Sequence, residues 1–170
     1  MIRLSTLSTR DASLLSELQT ETFAQAYEDV HSAEDIEQYC ESNFSLANAS
    51  ALLGSRSYLC KSAQDNGRVA GFYTISFQHC PIELPERSAE LKQIYILASH
   101  YGTGVGKQLF DDVRLELKER SYAWIWLAVS DINDRARSFY EKRGFETLGE
   151  GPVFNVGRDK LSSTILARGI

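Results

Sequence analysis

Over 170 residues the chain carries 18 Lys and Arg against 23 Asp and Glu, a net charge of −5, with 43% hydrophobic residues. Such a composition builds an ordinary globular core without disulfide or metal support, and no apolar run is long enough to span a bilayer. No basic cluster is large enough to drive counterion release, which disfavours nucleic acid as the main partner.

The start, Met1-Ile2-Arg3-Leu4-Ser5, lacks the basic residues and apolar stretch of a signal peptide, so the expected location is cytoplasmic. Residues 2–7 read as a short strand. Thr9 or Asp11 is placed to cap a helix that carries Leu14, Leu15, Leu18, Phe23 and Tyr27 on one apolar face. Ser32 opens a second helix with Ile36, Tyr39 and Cys40 inward, and residues 45–55 form a short helix or loop ending at Gly54. Residues 11–45 hold nine acids, including Glu21, Glu28 and Glu34, and no Lys or Arg, so the remainder of the chain is net basic. That asymmetry suits one cationic and one anionic ligand.

Strand signals follow. Residues 57–63 and 68–78 flank Asp65-Asn66-Gly67, a hairpin turn, and Pro81 and Pro85 mark the loop beyond. A strand over residues 89–97 leads to a glycine cluster. Next come a helix with Val105, Leu109, Val113 and Leu117 at four-residue steps and a continuously apolar strand at 124–129. Residues 133–143 read as a helix stopped by Gly144, and strands at 145–148 and 161–167 complete the order. The pattern predicts one α/β domain over residues 1–170, with its chemistry at the strand–glycine–helix junction. Cys40, Cys60 and Cys80 form no Cys-x-x-Cys pair and the three histidines stand apart, so no metal site is expected.

The junction reads Tyr101-Gly102-Thr103-Gly104-Val105-Gly106-Lys107. Closely spaced glycines turn backbone N–H groups toward one point at a helix N-terminus, which favours phosphate. A Walker loop is excluded, because only three residues separate Gly102 from Gly106 and Gln108 follows Lys107. A dinucleotide fingerprint fails on its last glycine spacing, and Trp126 stands where its ribose-binding acid belongs.

This loop resembles the acyl-CoA motif Gln/Arg-x-x-Gly-x-Gly/Ala of the GNAT N-acetyltransferase superfamily, with Tyr101 replacing Gln or Arg. Residues 133–145, Asn-Asp-Arg-Ala-Arg-Ser-Phe-Tyr-Glu-Lys-Arg-Gly-Phe, resemble the family's Asn-x-x-Ala-x-x-Phe-Tyr-x-Lys-x-Gly-Phe segment. The resemblance implies a mostly antiparallel sheet of six or seven strands with flanking helices, and acetyl-CoA as acyl donor. Amides of Tyr101, Gly102, Thr103, Gly104, Val105, Gly106 and Lys107 would hold its diphosphate, with Asn133, Ala136, Phe139 and Lys142 around it. Ile94, Tyr95 and Ile96 would pair with its pantetheine arm. Tyr140 matches the position that protonates the leaving thiolate.

Glu90 lies fourteen residues before Gly104, a spacing similar to that of the catalytic glutamate of histone-acetylating relatives, and is the first candidate base. Strand alternation places it with Lys92, Ile94 and Ile96; Glu21, Glu28 or a tyrosine acting through water competes for the role. Thr22-Phe23, Tyr27 and His31 to Ile36 are similar to the PaiA-like branch, which acetylates spermidine and spermine. That likeness points to a polyamine acceptor bound by Phe23, Tyr27, Glu28 and Glu34. A protein N-terminus as acceptor and a CoA-binding sensor without turnover are the alternatives, and a homodimer through the C-terminal strand is compatible with the resemblance.

Overall fold

The computed structural model describes residues 1–170. A seven-stranded sheet runs in the order β1 (Ile2–Thr6), β2 (Tyr58–Asp65), β3 (Arg68–Ser76), β4 (Ser88–Ile96), β5 (Trp124–Ser130), β9 (Ser163–Gly169), β6 (Glu146–Glu150). Every neighbouring pair is antiparallel except β4 with β5. The parallel pair requires a crossover, which α4 (Val105–Glu119) supplies. No helix is long and apolar enough to cross a membrane.

Both faces of the sheet are covered, which explains the apolar run of β3. Tyr73 and Ile75 join Val105, Leu109, Val113 and Leu117 of α4 in the main core. Phe72 points to the other face, against Leu15 and Leu18 of α1 (Ala12–Tyr27) and Ala49 of α3 (Leu46–Gly54). Beneath α4, Lys61 bonds Asp112 at 2.9 Å and Glu116 at 2.6 Å, and the Tyr73 hydroxyl donates to Asp112 at 2.6 Å. The chain from 45 to 55 resolves as α3 with Ser45 as its N-cap, its hydroxyl accepting from the Asn48 amide.

Three sequence expectations change. Neither Thr9 nor Asp11 caps α1 through its side chain; Asp11 instead accepts from the Ser8 amide at 2.8 Å, bracing a short 3₁₀ turn ahead of the helix. The terminal strand is not continuous from residue 161. β7 (Phe154–Val156) and β8 (Asp159–Leu161) form a separate small hairpin before β9. That hairpin packs Val156 and Leu161 against Phe23, Tyr27, Ile36 and Cys40, so α1 and α2 (Ala33–Asn43) share an aromatic cluster with it.

The third concerns β4. Thr74 pairs with Gln93 and Ile75 with Leu91, leaving Lys92 as an extra residue, a β-bulge. The bulge slips the side-chain phase by one, so Ala89, Leu91 and Ile94 share the core face and Glu90 is out of step with Ile94. It also sharpens local twist. β4 keeps its pairing with β5 only from Ser88↔Trp124 to Glu90↔Trp126, and beyond that point the two strands have no mutual register. The buried Gln93 side chain steadies the bulge, its carbonyl oxygen accepting from Gln19 of α1 at 3.0 Å and Thr74 at 3.1 Å.

Candidate active site

The site lies where β4 and β5 part. Residues 91–96 pair with β3 on one side only, and residues 127–130 only with β9, so two strand edges face each other across a gap. Edge N–H and C=O groups need partners, from water or from a ligand. A cavity of about 1190 Å³ fills this gap.

One portion of the cavity is walled by Ile94, Tyr95 and Ile96 and by Tyr101, Asn133, Ala136, Phe139 and Tyr140. The loop before α4 turns through positive φ at Gly102 (75°) and Gly104 (89°), which side chains disfavour. The first intrahelical bond is Gln108 N–H to the Gly104 carbonyl, so the amides of Gly104, Val105, Gly106 and Lys107 donate to nothing in the protein. Unspent donors at the positive end of a fifteen-residue helix form an anion site. Gly106 answers a different need: a Cβ there would sit 2.9 Å from the Phe139 ring and 3.2 Å from Ile96. Its absence lets α4 approach α5 (Asp134–Glu141) and β4.

α5 begins at Asn133, whose side-chain oxygen accepts from the Ala136 amide at 3.1 Å. That oxygen is therefore committed to capping the helix. Lys142 lies at the far end of α5, exposed and outside the cavity, and Lys107 points to Asp111 at 2.7 Å. Tyr140 is 9% exposed, its ring edge-on to Phe139 and Phe145 at 5.5 Å. Tyr140 lines the cavity, and its hydroxyl makes no hydrogen bond to the protein. Burial raises its pKa above that of an ordinary phenol, reinforced by Tyr27 and opposed by Arg143. Burial likewise raises Tyr27, Tyr39 and Tyr95, so all four hydroxyls stay protonated at neutral pH. The Ser130 hydroxyl, beside Tyr27, is buried with no geometric partner.

The remaining wall comes from α1, α2 and the β6–β8 region. Phe23 stacks on Tyr39 at 4.4 Å and meets Tyr27 at a tilt of 37° and 4.6 Å, and all three line the cavity with Trp126 and Phe154. The acids in the wall are Asp29, Glu90 and Glu150; the cations are Lys92 and Arg135. Burial raises the Glu90 carboxyl, with Lys92 and a bond from Ser76 opposing. The acid-rich segment contributes less than its charge suggests: of its nine acids only Asp29 borders the cavity. Glu28 lines a separate groove between α1 and α2, and Glu34 is exposed outside both.

Asp29, Lys92, Glu150 and Arg135 border the cavity, and none of them stood among the site residues expected from the sequence. Arg135 was within reach, since it occupies a variable position of the Asn133 motif and its guanidinium lies 3.5 Å from the centroid of the Tyr101 ring.

Comparison with known proteins bears on this geometry. The family model described as "Acetyltransferase (GNAT) family" matches residues 14–145. An uncharacterised N-acetyltransferase from the pepI 3′ region of Lactobacillus delbrueckii subsp. lactis is 28% identical over 173 residues, covering 99% of this chain and 98% of that protein. A [ribosomal protein bS18]-alanine N-acetyltransferase from Haemophilus influenzae is 39% identical over 74 residues, 44% of this chain and 49% of that one. The crystal structure of PaiA N-acetyltransferase from Thermoplasma acidophilum in complex with coenzyme A superposes with a TM-score of 0.80 at 23% identity, over 100% of this chain and 99% of that chain.

Proposed function

The chain belongs to the GNAT acetyltransferase family, and from that membership we propose that it moves the acetyl group of acetyl-CoA to a primary amine of a small cationic acceptor, such as a polyamine, by direct attack of the amine on the thioester. What carries the reading is the make-up of the cavity. The open edge of β4, Tyr101 at the start of the glycine loop, three carboxylates and several aromatic rings border it, and the free amides of Gly104 to Lys107 follow Tyr101 a few residues on.

The residues fit a CoA thioester. The amides of Gly104, Val105, Gly106 and Lys107 suit the diphosphate, and the open edge of β4 suits the amide-bearing pantetheine arm. An N–H of that edge near Ile94 would polarise the thioester carbonyl as charge builds on its oxygen. Glu90 receives the proton of the ammonium, for which its raised pKa makes it a stronger base than an ordinary carboxylate. The nitrogen then bonds to the carbonyl carbon and gives its second proton to solvent as the carbon–sulfur bond breaks, while the Tyr140 hydroxyl donates a hydrogen bond to the departing sulfur. A phenol whose pKa lies above that of a thiol favours a strong hydrogen bond over full transfer, so solvent completes protonation.

Asp29, Glu90 and Glu150 leave the wall net negative even against Lys92 and Arg135, which supports a cationic acceptor. The β7–β8 hairpin packs on α1 and α2 and adds Phe154, Val156 and Leu161 to the cavity wall, a lining suited to the methylene chain of a small amine. Free-thiol release from acetyl-CoA, measured with spermidine, spermine, diamines, lysine and an Ala-starting peptide, tests the acceptor. Turnover confined to small polycations is expected. Turnover with the peptide alone would reassign the acceptor to protein N-termini, and binding of acetyl-CoA without turnover on any amine would make the chain a sensor.

A further inference from the structure

Backbone amides offer a phosphate only partial charges, and Tyr101 at the start of the loop adds no full charge. The loop's own cation is engaged elsewhere: Lys107 is paired with Asp111 at 2.7 Å. Arg135 is different. It forms no ion pair, it borders the same cavity, and its guanidinium lies flat enough on Tyr101 to reach 3.5 Å from the ring centroid. Its neighbour Arg137, by contrast, faces Asp131 at 3.6 Å. The Asn133 cap fixes the first turn of α5, and with it the direction in which Arg135 leaves the helix.

We propose that Arg135, clamped on the Tyr101 ring, is the phosphate-binding cation of this site. The inference rests on the CoA reading above. The positive charge is delivered from α5 instead of from the loop, and the aromatic residue at 101 is its holder rather than a defect in the motif. Stacking leaves the in-plane N–H donors of a guanidinium free, so bidentate contact with phosphate oxygens survives the clamp. The ring also limits the rotamers that an exposed arginine would otherwise lose on binding. Diphosphate and ribose 3′-phosphate present the same chemistry to this group.

Calorimetric titration of the full chain with CoA and with 3′-dephospho-CoA, at two salt concentrations, tests the pair. Arg135→Ala should weaken CoA binding about tenfold to a hundredfold, the range for a hydrogen bond between charged groups, and flatten the salt dependence. Tyr101→Ala should weaken it less, while Tyr101→Phe, which keeps the ring, should stay near the parent. Tyr101→Arg placed in the Arg135→Ala background should recover affinity by returning the cation to the loop. An Arg135 penalty that persists with 3′-dephospho-CoA assigns the contact to the diphosphate; one that vanishes assigns it to the 3′-phosphate. Equal affinity of Arg135→Ala and parent for both ligands, with an unchanged melting temperature, overturns the proposal. A parent chain that binds neither ligand overturns it together with the CoA reading.

Discussion

Replacing Tyr140 with phenylalanine removes one oxygen and keeps the ring. The ring is packed edge-on against Phe139 and Phe145, and the hydroxyl bonds to no protein group, so the folded state loses no internal hydrogen bond. The melting temperature should therefore shift by no more than a degree or two. In the proposed reaction the hydroxyl acts only when sulfur departs, and a hydrogen bond to a charged partner is worth about 1.5–3 kcal/mol. At about 1.4 kcal/mol per factor of ten, kcat should fall by roughly one to two orders of magnitude. KM for acetyl-CoA should hardly move, because the missing bond belongs to the transition state. Steady-state thiol release with acetyl-CoA varied, beside a thermal melt, reads both quantities. An unchanged kcat, or a loss shared between kcat and stability, would refute the reasoning and leave Tyr140 as a packing residue.

Glu90→Gln should separate stability from activity. Burial makes the folded carboxyl harder to ionise than the unfolded one, so the parent loses stability as pH rises from about 4 through the raised folded value. The variant escapes that cost and should melt higher at pH 7, yet turn over roughly a hundredfold more slowly, with the deficit shrinking toward pH 10 as the amine deprotonates unaided. Equal pH–rate profiles would remove Glu90 from the chemistry. Gly106→Ala would drive a methyl into Phe139 at 2.9 Å; a loss of about 1–3 kcal/mol in urea unfolding and weaker CoA binding are expected. Phe23→Ala should cost about 3–5 kcal/mol and raise KM for the amine more than for acetyl-CoA, since Phe23 joins α1 to Tyr39 and Phe44 within the aromatic wall proposed for the acceptor.

Local signals made much of this architecture legible. Asn66 and Gly67 adopt the positive φ values, 49° and 80°, that their turn requires, and the four-residue apolar steps of α4 point into the main core. Asn133 opens α5 and Gly144 follows it with φ of 83°. What escaped depends on pairing between distant segments. Leu91-Lys92-Gln93 reads as an unbroken strand until its register against Thr74 and Ile75 exposes the bulge, and the bulge sets the phase of Glu90. Three-residue strands such as β7 and β8 carry too little pattern to read; packing on Tyr27 and Ile36 decides them. The acid-rich segment shows the same limit, because counting charges along a helix does not say which of them turns toward a cavity.

Transfer of an isotope-labelled acetyl group from acetyl-CoA to spermidine, followed by mass spectrometry, tests the central claim most directly. The account predicts label on an amine nitrogen of the acceptor and free CoA in equal amount, with both strongly reduced in Tyr140→Phe. CoA released by hydrolysis with no label on this or any other small amine would contradict it.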